Sequence, residues 1–423
     1  MMLQLANRIR KFLRPIKPYF PSFVLSQYMK LKKRFCYSFY GEKYAIIKRP
    51  SAVFETLYHI KDCTWELMYT PEIYEICKER TITARVPAQD IYLVKNATVC
   101  AESDLVLSNI GAWWDKYNEE DFVTSAIPCD CNLYMFDKDY VKVIHRLKKN
   151  YISGRVISLI GVWSYAWSHF LFQFVCKLFY AGEAGLLDDE VTLLTNDFHD
   201  VNIEEILNGY LKKYPKVKRM NVLPKTEYCC EQLICMPSMT ISYNEMKYIL
   251  DYRLITPKHV VDKLMKYIVL PLKEKVKNKP CKYRRIYLSR KTNRILNNLE
   301  EIESFFRKQG FYFVEGQELS LEEKADLFYH ADIIVGSHSS AWQNIIFCNN
   351  VKCLMFCNNR FATEMVFYSM AKNCVSGWLN VTGQDDSAER RTNYTISLEK
   401  IKKAYIQLLG NDESLGFQMN EMC

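Results

Sequence analysis

One stretch, residues 284–344, constrains the fold of this chain more than any other. It opens with the apolar run 285–290, which ends in Ser-Arg, and closes with the apolar run 331–338, which ends in Gly-Ser-His. Two helix patterns and a short apolar run, 311–315, lie between them. Strands that alternate with helix patterns predict a parallel sheet. Polar residues that follow such strands lie at the carboxyl edge of the sheet, where ligands bind.

The size and composition of the chain indicate a folded protein. Its 423 residues are 49% hydrophobic and 25% charged, which excludes a disordered chain and leaves room for two domains. No run of 18 apolar residues occurs, so no membrane-spanning helix is predicted. Basic residues interrupt the first apolar residues, so no secretory signal is predicted either. The 16 cysteines lack zinc-ligand spacing and are interpreted as small buried residues in a reducing compartment.

The net charge of +9 is concentrated in a basic arm, residues 1–41. The arm holds nine Lys and Arg residues and no Asp or Glu, so the remainder of the chain sums to zero. Its apolar residues recur at helical spacing, which predicts a basic amphipathic helix. Such helices bind anionic bilayers, and each basic residue contributes about 1 kcal/mol. We therefore expect a cytoplasmic protein that binds the inner face of the membrane peripherally; the alternative is an ordinary surface helix.

Nucleic acid is not expected as a partner. The basic arm is the one feature that would favour it, and no signature of a nucleic-acid-binding fold follows the arm. If nucleic acid were the ligand after all, deletion of residues 1–41 would abolish its binding.

Two groups of alternating strand and helix patterns follow a β-rich segment, residues 50–110, in which apolar and polar residues alternate over 87–107. The first group spans 155–223, with strands predicted at 155–161, 191–195 and 217–223. The second spans 285–356, with strands predicted at 286–289, 311–315, 332–336 and 352–356, and it follows a long amphipathic helix, 257–277. This alternation predicts an α/β fold with two halves, each built on a parallel sheet. The expected domains are the arm 1–41, a first α/β domain 42–255 with a β-rich start, and a second α/β domain 256–423.

The second group contains many residues of one family pattern in the correct order. They are Arg285, Ile286, Tyr287, Ser289, Arg290, Arg294, Asn297, Gly310, Phe311, Leu319, Ser320, Glu323, Ala331, Val335, Gly336, His338, Asn344 and Phe347. In these residues the chain resembles glycosyltransferase family 61, which occurs in capsule and lipopolysaccharide gene clusters and in eukaryotic glycan synthesis. Weaker matches upstream are Lys95, Asn96, Ala97, Val99, His169 and the Gly-Leu-Leu-Asp of 185–188.

The resemblance implies a fold and an activity. It implies two Rossmann-like domains that face a cleft, the glycosyltransferase-B architecture, with the donor in the second domain and the acceptor in the first. It implies an inverting, metal-independent transfer of a hexose or pentose from a nucleotide-sugar donor to a glycan or lipid-linked acceptor, in cell-surface polysaccharide synthesis. No cofactor is expected.

The residues expected to bind the donor follow the strands of the second group. Arg290 comes directly after a strand, and its planar guanidinium can bind two phosphate oxygens; the alternative is a surface salt bridge. Arg294 is a similar candidate in a loop that is otherwise solvated. Backbone N–H groups at a strand-to-helix turn point toward a ligand, and hydroxyl groups add donors. This turn and the helix after it contribute the candidates Gly336, Ser337, Ser339, Ser340 and Asn344.

Two histidines are the catalytic candidates. His338 follows an apolar strand and is suited to donate to a phosphate or a sugar hydroxyl. His169, in the first half, is the candidate general base, because an imidazole near its ordinary pKa accepts a proton from a hydroxyl group. The alternatives are a structural histidine, a donor-sugar contact, or a carboxylate base in its place. The carboxylates considered are Asp197, Asp200 and Glu204.

Several positions depart from the family pattern. The family has His-Gly-Ala where this chain has His338, Ser339 and Ser340, and it often has a Glu, suited to the ribose, at the position of Met355. Lys324 replaces a Gln of the family, and Asn298 replaces a Glu. These departures leave a second hypothesis open, in which the protein is a catalytically inactive glycan- or nucleotide-binding protein of the same fold.

Overall fold

The computed structural model of the chain is a mixed α/β protein. It describes residues 41–101, 103–114, 133–136, 139–198, 200–240, 255–290, 292, 294–315, 319–363, 366–387 and 392–410. The basic arm lies outside these residues except for its last one, so its amphipathic helix and its membrane contact remain predictions. Within the described chain, no helix combines the length and the hydropathy that a membrane crossing requires.

Strands dominate the first part of the chain. They are β1 (Glu42–Ala45), β2 (Glu55–Lys61), β3 (Thr64–Thr70), β4 (Glu72–Ile73), β5 (Arg80–Val86), β6 (Gln89–Cys100), β7 (Leu105–Ser108), β8 (Gly111–Trp114), β9 (Leu133–Phe136) and β10 (Tyr140–Val143). The alternating pattern predicted for residues 87–107 forms β6 and β7, which pair antiparallel. Most β6 side chains are buried or half-buried, and Lys95 and Asn96 are exposed in the middle of the strand.

The first parallel sheet follows. Its strands are β11 (Lys148–Ser158), β12 (Val191–Thr195), β13 (Val217–Asn221) and β14 (Thr226–Cys235), in the order β13-β12-β11-β14, and β6 extends the sheet antiparallel to β14. The sequence predicted a strand at 155–161, whereas β11 begins at Lys148 and ends at Ser158. The first half of β11 is mostly exposed and polar, so its side chains gave no apolar signal.

Two helices flank this sheet. The first, α1 (residues 167–183), consists of α-helical Trp167–His169, a π-helical turn Phe170–Phe174 and α-helical Val175–Glu183. Nearly all of its side chains after the first turn are buried, as expected for a helix enclosed by protein on every side. Gly185, with φ +71, follows it in the left-handed conformation that often ends a helix. The second is α2 (Val201–Leu211), which Asp200 caps.

The second half begins with the predicted long helix, α3 (residues 258–276), which contains a π-helical segment, Met265–Val269. Its sheet contains β15 (Arg285–Leu288), β16 (Tyr312–Val314), β17 (Ile333–Ser337), β18 (Val351–Cys357) and β19 (Val375–Thr382), followed by the short pair β20 (Gln384–Asp385) and β21 (Tyr394–Thr395). The helices are α4 (Leu299–Lys308), α5 (Leu321–Tyr329), the 3-10 helix Ser340–Phe347, α6 (Val366–Ala371) and α7 (Leu398–Leu409). Ser320 and Glu323 form a capping box at the start of α5.

The β-rich start of the chain contacts the second half directly. The order of the second sheet is β16-β15-β17-β18-β19-β4, so β4 lies at its edge and runs parallel to β19. The hairpin of β3 and β5 packs on α6, where the Tyr69 N–H donates to the Ser369 hydroxyl at 3.1 Å. The domain boundary near residue 256 remains a prediction, because these segments cross it.

A single apolar core joins the two parallel sheets. Phe170 and Phe179 of α1, Leu264 of α3, Ile286 of β15 and Trp342 belong to one cluster of buried side chains. Each such side chain contributes about 1.5–3 kcal/mol when it is fully buried. The two halves are therefore packed together through α1, α3 and α5.

Candidate functional site

Two loops leave the carboxyl edge of the second sheet side by side. They follow β15 and β17, which are parallel neighbours, and Leu288 pairs with Gly336 at the end of both strands. Gly336 has φ +152, and a Cβ at this position would lie 2.5 Å from the Leu288 carbonyl oxygen. Only glycine fits here, so Gly336 allows the two strand ends and their loops to approach closely.

Arg290 connects the two loops. Its Nη1 donates a hydrogen bond to the backbone oxygen of His338 at 2.8 Å. The side chain is half-buried, and burial lowers the pKa of its guanidinium from the usual value, although arginine remains charged at neutral pH. The residue predicted to bind phosphate therefore also orders the loop that carries the predicted histidine.

His338 and Arg294 meet at one aromatic ring. The His338 ring stacks on Phe361 with the centroids 4.5 Å apart, and the Arg294 guanidinium lies 4.3 Å from the same ring. The backbone N–H of His338 donates to the backbone oxygen of Phe356 at 2.7 Å, and His338 is buried. Arg294 has φ +53, an uncommon conformation for a residue other than glycine. The structure thus brings both candidate arginines and His338 into one cluster.

The turn after β17 leads into a 3-10 helix, Ser340–Phe347. The Ser337 backbone oxygen accepts a hydrogen bond from Trp342 Nε1 at 3.1 Å, which holds the turn against the helix. Ser339 Oγ and Asn344 Oδ1 are enclosed, and neither has a hydrogen-bond partner among the described residues. Enclosed polar atoms of this kind require an explanation in a folded protein, and a polar ligand is one.

His169 reaches the same region from the first half. It lies in the first turn of α1, which contacts the 3-10 helix Ser340–Phe347. Its ring is half-buried and packs against Trp163, with the centroids 4.8 Å apart. Trp163 is 40% exposed and has φ +62, which is an outlier for a bulky side chain. The helix turn that carries His169 therefore contacts the helix that follows the loop of His338.

Two of the rival carboxylates already have structural partners. The Asp200 carboxylate caps α2 and accepts a hydrogen bond from the Asn202 N–H at 2.9 Å. Glu204 forms an ion pair with Arg219, with Oε1 2.6 Å from Nη2, and this pair lowers the pKa of Glu204. Asp197 lies in the loop after β12. These contacts favour His169 over Asp200 and Glu204 as the base.

The described residues contain no group of three His, Cys, Asp or Glu side chains that would hold a metal ion. The acidic segment 188–190 lies just before β12. Asp189 and Glu190 are exposed there and form surface ion pairs with Lys216 and Lys218, at 3.6 and 3.5 Å.

Three residues of this region were not predicted as site residues. Lys324 is 1% exposed and Gln343 is fully buried, although both side chains are polar. Trp163 packs on His169, and its backbone has the uncommon φ of +62. The sequence signal for Lys324 was a lysine at the end of the first turn of a helix, where cations are disfavoured by the helix dipole. Gln343 and Trp163 gave no signal, because their burial and backbone angles depend on the assembled halves.

A comparison with protein families matches residues 167–355 to the family described as Glycosyltransferase 61. This match supports the assignment of the chain to glycosyltransferase family 61. The matched segment begins at the first turn of α1 and ends in β18, so it contains His169, Arg290 and His338. A comparison with curated proteins found no match.

Two of the positions that depart from the family pattern are buried or used in packing. Met355 lies in β18, pairs with Gly336 across the sheet and is 1% exposed. A thioether therefore occupies the position where the family often has a Glu. Asn298 precedes α4, and its Nδ2 donates to the Ile396 backbone oxygen at 2.9 Å, so it is used in packing.

Proposed function

We propose that this family 61 protein is an inverting, metal-independent glycosyltransferase of glycosyltransferase-B architecture. It transfers a hexose or pentose from a nucleotide-sugar donor to a glycan or lipid-linked acceptor in the synthesis of a cell-surface polysaccharide, such as capsule or lipopolysaccharide. The observation that carries the proposal is the convergence of Arg290, His338 and His169. Arg290 and His338 lie on loops joined by a hydrogen bond of 2.8 Å. His169 lies on the first turn of α1, which contacts the 3-10 helix that follows the His338 loop.

The proposed chemistry assigns one task to each side of the junction. The acceptor oxygen forms a bond to the anomeric carbon while the bond from that carbon to the diphosphate oxygen breaks. The diphosphate leaves with the electron pair, and cationic side chains and oriented N–H groups stabilise its charge; Arg290, Arg294 and the turn 336–340 take this role. The proton of the acceptor hydroxyl passes to His169, and His338 donates a hydrogen bond to the donor.

A location at the inner face of the cell membrane fits this substrate class. A lipid-linked acceptor is held in the membrane, and the nine basic residues of the arm would bind an anionic surface. Peripheral binding would keep the junction close to such an acceptor.

Calorimetry with UDP, GDP, CMP and dTDP tests the donor site. We expect one nucleotide to bind, and Arg290→Ala to weaken its binding about tenfold or more, because a hydrogen bond to a charged group contributes about 1.5–3 kcal/mol. Arg284→Ala is the matched control, since Arg284 precedes the opposite end of β15 and pairs with Asp332 at 3.0 Å on the surface. If the wild type binds no nucleotide, the donor site as assigned is wrong.

The second candidate is a catalytically inactive nucleotide- or glycan-binding protein. The buried Met355 and the serines at 339 and 340 support it, because they replace residues suited to the nucleotide and to close backbone approach. Release of nucleoside diphosphate from a panel of nucleotide sugars separates the two functions. An enzyme turns over at least one donor and loses turnover in His169→Ala, whereas the inactive protein binds without turnover.

A further inference from the structure

Lys324 is a buried lysine at the junction of the two halves. It lies at the end of the first turn of α5 and is 1% exposed. Its Nζ lies 4.7 Å from the centroid of the Trp167 ring, which belongs to the first turn of α1. The lysine therefore extends from the second half of the chain to the helix turn that carries His169.

The Lys324 ammonium is short of acceptors. Among the described residues, it has no hydrogen-bond partner and no carboxylate within 4 Å. Asp200 acts on it from farther away, but that carboxylate already accepts hydrogen bonds from the backbone and side chain of Asn202, both at 2.9 Å. Trp167 Nε1 is also enclosed and has no partner within the described chain. A lysine that is 1% exposed and an enclosed indole N–H thus lie close together without a bonded acceptor.

This arrangement is unfavourable unless an anion completes it. An ammonium group and an indole N–H are both donors only, so neither satisfies the other. Burial lowers the pKa of Lys324, because the charged form loses its hydration. The cation–π contact with Trp167 offsets part of that loss. The start of a helix also favours anions over cations, so the dipole of α5 adds to the mismatch.

Further enclosed polar groups lie on the adjacent 3-10 helix, Ser340–Phe347. Both α5 and the first turn of α1 contact this helix. Gln343 is 0% exposed, and within the described residues neither polar atom of its amide has a partner. Polar groups with little or no exposure therefore lie on three elements that contact one another, and the 3-10 helix among them follows the loop that carries His338.

We propose that Lys324 and Trp167 Nε1 bind an anionic group of the donor substrate. The inference rests on the proposed glycosyl transfer, which brings such a group to this junction. It adds a binding residue that the family pattern lacks, because Lys324 stands where the pattern has Gln. Two parts of a nucleotide sugar carry this chemistry: the diphosphate, and the carboxylate of an acidic sugar.

Inorganic pyrophosphate is the first probe, because it separates anion binding from the choice of nucleotide. Calorimetry compares the wild type with Lys324→Gln and Trp167→Phe, which keeps the aromatic ring and removes the N–H. Lys279→Gln is the control. It also removes one positive charge, but from a surface ion pair with Glu322 of α5, at 2.7 Å. We expect pyrophosphate binding to fall about tenfold or more in Lys324→Gln, about threefold in Trp167→Phe, and less than about twofold in the control.

Stability without ligand separates this role from a structural one. Lys324→Gln should unfold at the same temperature as the wild type or a higher one, because a neutral amide replaces a buried cation that lacks a bonded partner. Lys324→Arg keeps the charge and should retain part of the pyrophosphate affinity. A lower unfolding temperature together with unchanged affinity in Lys324→Gln would assign the lysine to packing and overturn the proposal.

UDP-glucose and UDP-glucuronic acid identify the anion. A loss in Lys324→Gln that is equal for pyrophosphate and both nucleotide sugars assigns the diphosphate, whereas a loss confined to UDP-glucuronic acid assigns the carboxylate. Equal binding of every ligand by wild type and variant, or no binding of any by the wild type, rejects the site. Nucleotide binding that is lost in Arg290→Ala alone keeps the proposed function and rejects Lys324. If Lys324→Gln loses pyrophosphate binding but the wild type turns over no donor, the anion site at Lys324 is kept and the proposed transferase function is rejected.

Discussion

Replacement of Gly336 by alanine should damage the site and the fold together. In the wild type, the position of a Cβ on Gly336 is 2.5 Å from Leu288 O, 2.9 Å from Leu288 Cβ and 3.0 Å from Leu288 N. The neighbouring atoms belong mostly to a buried strand and cannot turn away. Forcing an added methyl group into such a space costs about 1–3 kcal/mol. The unfavourable φ of +152 adds about 1–3 kcal/mol for a residue with a side chain.

The expected loss for Gly336→Ala is therefore about 4 kcal/mol, and Gly310→Ala provides the matched control. Gly310 lies in the same half with φ +74, and no atom lies within 4 Å of its added Cβ. The control should lose only the backbone contribution, about 1–2 kcal/mol. Urea unfolding measures both losses, and nucleotide calorimetry should show weaker binding for Gly336→Ala alone. Equal losses of stability in the two variants would refute the argument from close strand approach.

Three further predictions concern the rest of the chain. Burial raises the pKa of Glu183, but hydrogen bonds from Lys263 and two other side chains outweigh it and lower the pKa to about 2. Because the folded pKa is the lower one, Glu183→Gln should destabilise the protein fully above about pH 4.5, by an amount that shrinks toward pH 2 in unfolding experiments. Burial raises the pKa of the Cys348 thiol, so mass-mapped alkylation of the native protein should label the exposed Cys63 quickly and leave Cys348 unmodified. Deletion of residues 1–41 should abolish binding to anionic vesicles, and binding by the full chain should weaken with salt; salt-independent binding would contradict the electrostatic argument.

The sequence predicted the strands and helices of the segments in which apolar runs alternate with helical patterns. The strands at 191–195, 333–337 and 351–357 were recognised because each is an apolar run between helix patterns. The segment after β17 was expected to be an ordinary helix, but it is a 3-10 helix over eight residues. Apolar periodicity shows which residues face the core and does not separate these two helical forms when the segment is short.

Contacts between distant segments could not be predicted in this way. The strand β4 has two residues, and it joins the second sheet through the pairing of Ile73 with Asn380. Its pattern is too short to indicate a strand, and its partner lies about three hundred residues later. The interpretation of the cysteines was more successful, because burial of a small apolar side chain follows from local pattern: eight of the twelve described cysteines are buried, and all twelve are free thiols.

The candidate site residues also divide into those that a local pattern indicates and those that depend on contacts between distant segments. Arg290 and His338 could be proposed from the sequence because a polar residue directly after a strand lies at the sheet edge. Lys324 required the assembled junction, since its burial results from the contact with Trp167 of the other half. Features that oppose local rules collect at this junction: a buried cation, a fully buried amide at Gln343 and a bulky residue, Trp163, at φ +62. Natural proteins retain such features mainly where function requires them. A chain that had lost its ligand would gain stability from a neutral residue at position 324, and this asymmetry favours a site that still binds an anion.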